Sequence, residues 1–215
     1  MRAISKGTEP ASLTRHRHAP HSCYDNYMEK AELRHALVTE QRGLCCYCMR
    51  RLGSEAETKI EHWHCQANYP AEQLSYGNML GACHGGRGQP AHLQHCDTRK
   101  GNRDLQWNPS DPSHRIEGRV RYERDGTIRS DNMSFDAQLN DVLNLNLLAL
   151  RNGRKGVFDG VLEWLKLERG RLHGPVPRRI LERKRDRYTA VAGELSSFQQ
   201  VAVWLLEQIL TRRAG

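Results

Sequence analysis

No stretch of this sequence approaches the ~18 consecutive apolar residues that a membrane-spanning helix needs. The opening residues, MRAISKGTEPASLTRHRHAPH, also lack the apolar stretch of a secretory signal, so the expected compartment is the cytoplasm. No P-loop is present, which removes nucleotide hydrolysis from the expectations for this chain. There is no internal repeat and no low-complexity tract. Apolar residues make up only 38% and mean hydropathy is -0.76, low for a tight globule. They concentrate in the C-terminal third, which predicts a folded chain rather than wholesale disorder.

What the chain has is positive charge and cysteine. Its 215 residues suffice for one sizeable domain or two small ones. Lys and Arg number 33 against 25 Asp and Glu, and the net charge of +8 with a pI near 9.3 favours a polyanionic partner. Seven cysteines, an odd number, include four within Cys45 to Cys65. In a reducing compartment such crowding points to metal ligands rather than a disulfide frame.

Residues 1–25 are polar, carry Pro10, Pro20, His16, His18 and His21, and show no apolar period. They predict an arm that is extended or ordered only by docking. From Asn26 to Gln41 the residues Ala31, Leu33, Leu37 and Val38 define a broad apolar face, with Gly43 as a helix stop. Residues 44–109 are rich in Cys, His, Gly and Asn and form the chemical segment. GRVRYERDGTIRS, Gly118 to Ser130, turns at Asp125-Gly126 and predicts a β-hairpin. Beyond Phe135 come leucine-rich helical patterns: LNDVLNLNLLALR, GVFDGVLEWLKLE, RRILERKRDRYTAVAGEL and SSFQQVAVWLLEQILTRR. The last is apolar over most of its circumference and should be buried. Pro175 and Pro177 separate two of these helices. The expected division is 1–43, arm and helix; 44–134, chemical core with hairpin; and 135–215, helical layer.

Cys45 and Cys48 form a C-x-x-C knuckle, the spacing that lets two thiolates of one tight turn hold a tetrahedral zinc. Cys83 and Cys96 complete a four-cysteine site if the residues between them loop out; mixed sets using His84, His92 or His95 stay open. Between the pairs lie Lys59-Ile60-Glu61-His62 and Tyr76-Gly77-Asn78-Met79-Leu80, and Cys96 opens Cys-Asp-Thr-Arg-Lys-Gly-Asn. This succession resembles the HNH nuclease motif. The opening M-R-A-I-x-K, the helix ending at Gln41 before LCCYC, and the strings IEHW, YGNMLGAC, HCDTRKGN and DVLNLNL extend it. Together they resemble the retron- and Septu-associated (PtuB-type) HNH endonucleases of prokaryotic anti-phage defence, over roughly residues 1–160.

The resemblance implies an α+β, mainly α-helical chain: a zinc-stabilised ββα-metal core, an N-terminal helix and a helical C-terminal layer. It implies a metal-dependent endonuclease with an ABC-type, PtuA-like ATPase partner, and in the retron case a reverse transcriptase and its RNA-DNA product. DNA is the favoured substrate and tRNA an alternative. Phosphodiester hydrolysis needs a base near neutral pKa and a divalent cation, and His62 suits the base. Glu61 and Asp97, which matches the final motif position, are the expected ligands of Mg2+ or Mn2+. On a strand Glu61 points away from His62, so ligation asks for a bend there. Asn78 matches the middle motif position and is expected to hold the His62 loop, while Lys100 is the expected phosphate contact. His64 is the rival base. The basic run Arg178, Arg179, Arg183, Lys184, Arg185 and Arg187 spreads around more than one helix face, which fits a solvated helix or a phosphate-tracking surface. The alternative function is a non-catalytic, zinc-stabilised nucleic-acid-binding or adaptor protein.

Overall fold

Helix α1 spans Ala11–Arg17, where a polar arm was expected. Pro10 precedes it, and its one leucine, Leu13, is fully buried. The Ser12 hydroxyl meets the Tyr27 hydroxyl at 2.8 Å. A single buried leucine leaves no period to detect, which is why sequence reasoning missed the helix. The computed structural model describes residues 1–190 and 192–212. About half of them are helical, and the chain is α+β with small antiparallel sheets.

Helix α2, Lys30–Glu40, starts later than the apolar pattern indicated, and Ala31 faces solvent; Leu33 and Leu37 alone are fully buried on it. Gly43 follows with φ of +77°, a conformation glycine takes without a Cβ penalty. Strands β1, Lys59–His62, and β2, Met79–Ala82, pair antiparallel with Glu61 opposite Leu80 and His62 opposite Met79. Helix α3, Cys96–Lys100, follows after a loop.

The expected hairpin is present as β3, Arg121–Tyr122, and β4, Ile128–Arg129, turning at Gly126. A side chain at Gly126 would strike the Arg151 carbonyl, so only glycine permits this approach. Buried Arg154 locks the turn to the next helix: Nε donates to the Gly126 carbonyl at 2.6 Å and Nη2 to the Leu145 carbonyl at 2.7 Å.

The segment LNDVLNLNLLALR is not one helix. Helix α4, Met133–Ala137, runs on through a wider turn, Gln138–Val142, and then breaks. Asn144 takes φ of +50° and donates to the His92 and Gln94 carbonyls, while Asn146 Oδ1 accepts from the Ile128 amide. Long-range hydrogen bonds outcompete local leucine periodicity here. Helix α5, Leu148–Leu172, instead runs unbroken through Gly153, Gly156 and Gly160. Helices α6, Arg178–Thr189, and α7, Gln199–Arg212, complete the chain, with α7 mostly buried as expected.

One buried cluster joins Met1 and Ile4, the cysteine segment, the hairpin, α5 and α7. The C-terminal helices therefore pack directly on the chemical segment. A second cluster links α1, α2 and β2 through Leu13, Leu33, Leu37, Tyr76 and Met79. No helix among the described residues is long and apolar enough to cross a membrane.

Candidate metal centre and acid-histidine cluster

Cys45 and Cys48 lie on a tight turn in which the Cys45 amide donates to the Arg50 carbonyl and the Met49 amide to the Cys45 carbonyl. Cys83 follows β2 and Cys96 opens α3. Between them the loop is pinched at its base: the His95 amide donates to the Gly85 carbonyl at 2.9 Å, and the Thr98 hydroxyl to the His84 carbonyl at 2.7 Å. The long Cys83–Cys96 spacing thus loops out, and the four sulfurs converge within 4.8 Å of one another.

The donor set fits zinc. Zn–S bonds of ~2.3 Å in a tetrahedron place sulfurs about 3.8 Å apart. Cys45 and Cys96 Sγ are 3.9 Å apart, and Cys48 and Cys83 Sγ 3.8 Å. All seven cysteines are free thiols. His95 Nδ1 lies 3.1 Å from Cys96 Sγ, so it hydrogen-bonds a ligand sulfur from outside. His84 and His92 are not part of the group that could hold the metal.

Strand β1 sorts its side chains by alternation. Lys59 and Glu61 face α3, and Ile60 and His62 face the arm and α2. Glu61 is 2% exposed; its Oε1 accepts from the Tyr47 hydroxyl at 2.7 Å and from Lys100 Nζ at 2.9 Å. Its carboxyl also hydrogen-bonds Asp97. Burial and this acid neighbour push the Glu61 carboxyl well above the ordinary range. Burial alone would raise Asp97, but hydrogen bonds from Glu61 and from Lys59, which forms an ion pair with it, hold it below its ordinary value. The two carboxyls lie in contact, Asp97 paired with Lys59 and Glu61 with Lys100.

The bend expected at Glu61 is absent: β1 pairs regularly with β2 through His62, which lies on the opposite face, 5% exposed, with its ring edge-on to Tyr24 at 4.6 Å. Nε2 lies 3.0 Å from the Gln73 carbonyl. A carbonyl only accepts, so Nε2 carries the proton and Nδ1 keeps the lone pair, capped by the Gln66 amide at 3.3 Å. Burial lowers the His62 pKa below its ordinary value, keeping the ring neutral at neutral pH.

Asn78 behaves as a bracket: Oδ1 accepts from the His64 amide at 2.8 Å, and Nδ2 donates to the His64 carbonyl at 2.9 Å. His64 lies beyond the end of β1. It contacts Glu72 at 2.8 Å through Nδ1 and stacks on Tyr69 at 4.2 Å. Lys100 differs from the expected phosphate contact. It is 1% exposed, and its ammonium is committed to Glu61 and to the His62 carbonyl at 3.0 Å. It ties α3 to the end of β1.

Tyr47 and Lys59 escaped sequence reasoning. Lys59 was legible in principle, because it sits two residues before Glu61 and shares its strand face. Tyr47 carried no signal beyond its place inside the knuckle. Scans of the chain against protein-family models and against curated proteins return no match.

Proposed function

We propose that this chain is a metal-dependent endonuclease of the HNH type, in which β1, β2 and α3 form a ββα-metal core braced by a structural zinc. The observation that carries the reading is the contact of Glu61 with Asp97 beside a strand end bearing a neutral His62 with its Nδ1 lone pair free of a proton. Two hard carboxylates are the protein complement that magnesium or manganese usually takes, so the donor set fits such an ion. When bound there, the ion would offset negative charge on the phosphoryl and leaving oxygens.

The chain's own residues supply the rest. His62 Nδ1 accepts a proton from an attacking water once the Gln66 amide gives way, and the Gln73 carbonyl steadies the imidazolium that results. Lys100 and Tyr47 fix the Glu61 carboxylate, and Asn78 fixes the turn after His62. The resemblance over residues 1–160 supports a place in anti-phage defence with an ABC-type ATPase partner, DNA as the favoured substrate and tRNA as the alternative.

One observation favours the non-catalytic adaptor reading: Lys59 and Lys100 already pair with both carboxylates, balancing their charge without a metal. Cleavage assays on duplex DNA, single-stranded DNA and tRNA decide between the two, run with and without magnesium and with a PtuA-like ATPase. The nuclease reading expects magnesium-dependent cutting of one polymer that Glu61→Gln and Asp97→Asn each reduce by at least ~100-fold, in line with losing transition-state charge stabilisation. Cutting by neither wild type nor variants in any arm, with zinc bound, favours the adaptor.

A further inference from the structure

Helix α6 carries six cations and two carboxylates, and their contacts divide the cations into three sets. Arg178 pairs with Glu182 at 2.9 Å and Arg185 with Asp186 at 2.7 Å, so both acids of the helix are engaged. Lys184 lies over the rings of Trp164 at 5.0 Å and Tyr188 at 5.4 Å. Arg179, Arg183 and Arg187 are exposed, and among the described residues no carboxylate lies within ion-pair distance of them. Spaced four residues apart, they form a row on one helix face, with heads about 6 Å apart along the axis.

Like charges repeated along one face repel each other; Glu182 and Asp186 lie beside the row, but their ion pairs are with Arg178 and Arg185. The row also borders two surface depressions. One is floored by Trp164 and Ile180 with Glu168 at its side, and the other follows Arg179, Arg183 and Arg187 toward Ala190 with Glu182 and Asp186 among its walls. Protein-binding patches centre on apolar anchors, and none of the large apolar side chains found exposed lies on α6. Polar, strongly positive surfaces are the mark of nucleic-acid interfaces.

We infer that the Arg179–Arg183–Arg187 row is a docking surface for the phosphate backbone of a nucleic acid, on a different element from the Glu61–His62–Asp97 cluster. It goes beyond the catalytic reading, and binding in buffer without added divalent metal tests it whether or not the chain cuts. Fluorescence anisotropy would follow a DNA duplex and an RNA duplex of equal length through a salt series. Arg183→Gln/Arg187→Gln is compared with Arg178→Gln/Arg185→Gln, which removes the same charge from the same helix but spares the row.

The row variant is expected to weaken binding and to reduce the slope of log affinity against log salt by about 1.8, at ~0.9 for each phosphate that is no longer neutralised. The control variant should keep the wild-type slope. A larger drop in affinity for one duplex names DNA or RNA as the source of the phosphates. Equal drops in the two variants would reduce the effect to net charge and overturn the inference. So would a row variant that binds both duplexes like wild type, including one that instead loses affinity for polyglutamate, the outcome expected of an acidic protein partner. Thermal midpoints and zinc content, read on every variant, keep a folding defect from passing as a binding defect.

Discussion

The hydrogen bond from His62 Nε2 to the Gln73 carbonyl decides which nitrogen of that ring accepts a proton, and burial decides when it does so. In the proposed nuclease the neutral ring is the working form, and because burial lowers its pKa the activity is expected to stay on its plateau at pH 6.5 and fall only at lower pH. His62→Ala removes this acid limb; a limb centred above 6.5 would contradict the assignment. Stability has the same sign: protonation is disfavoured in the folded state, so the contribution is present above the unfolded pKa and lost as pH falls through the folded one. Gln66 caps the same nitrogen at 3.3 Å. Gln66→Ala is expected to leave the thermal midpoint within a degree or two, as for a surface change of about 0.5 kcal/mol, and to keep or raise the cleavage rate. A large loss of rate would make Gln66 part of the catalytic machinery. These contacts were only half legible. Glu61, His62 and Asp97 were visible as residue types in order, but the partner of each ring nitrogen is set by Gln73 and Gln66 on a loop that no local pattern places.

Helix α5 meets the residue that precedes α7 where Gly153 faces Phe198. A Cβ at Gly153 would collide with the Phe198 ring, whereas Gly160 looks onto open space in an exposed position of the same helix. Helix propensity alone assigns both Gly→Ala changes a gain of up to ~1 kcal/mol. The packing predicts opposite signs: Gly160→Ala stabilises by that order, and Gly153→Ala destabilises by about 1–3 kcal/mol, the usual cost of overpacking. Urea unfolding of the two variants measures both, and equal signs would contradict the packing. At this scale the hairpin at Asp125-Gly126 and the buried face of α7 were readable, since each is written in adjacent residues. The helix break at Asn144 to Leu147 was not, because it answers to His92, Gln94 and Ile128, which are remote in sequence.

The chain as a whole is organised around the four-cysteine cluster, whose members come from the turn after α2, the end of β2 and the start of α3. The same cysteines belong to the buried cluster that α5 and α7 cover. A structural zinc contributes about 10–16 kcal/mol of binding free energy, comparable to the whole stability of a typical domain at ~5–15 kcal/mol. Cys96→Ser is therefore expected to lose the bound zinc and the cooperative thermal transition together. Elemental analysis and circular dichroism check this, and an unchanged midpoint without zinc would deny the metal a structural role. The knuckle spacing made this centre legible. The commitment of Lys100 was hidden, because in sequence it looks like any basic residue of a short helix and only its burial against Glu61 and the His62 carbonyl removes it from the surface. In the proposed function a folded, zinc-bound chain cuts nucleic acid through His62. The most direct test is cleavage by wild type, His62→Ala and His64→Ala, matched for zinc content and thermal midpoint, with magnesium and with the proposed ATPase partner added. His62→Ala is expected to lose at least ~100-fold of the rate, within the usual range for a general base, while His64→Ala retains most of it. Full activity in His62→Ala, or loss confined to His64→Ala, would contradict it.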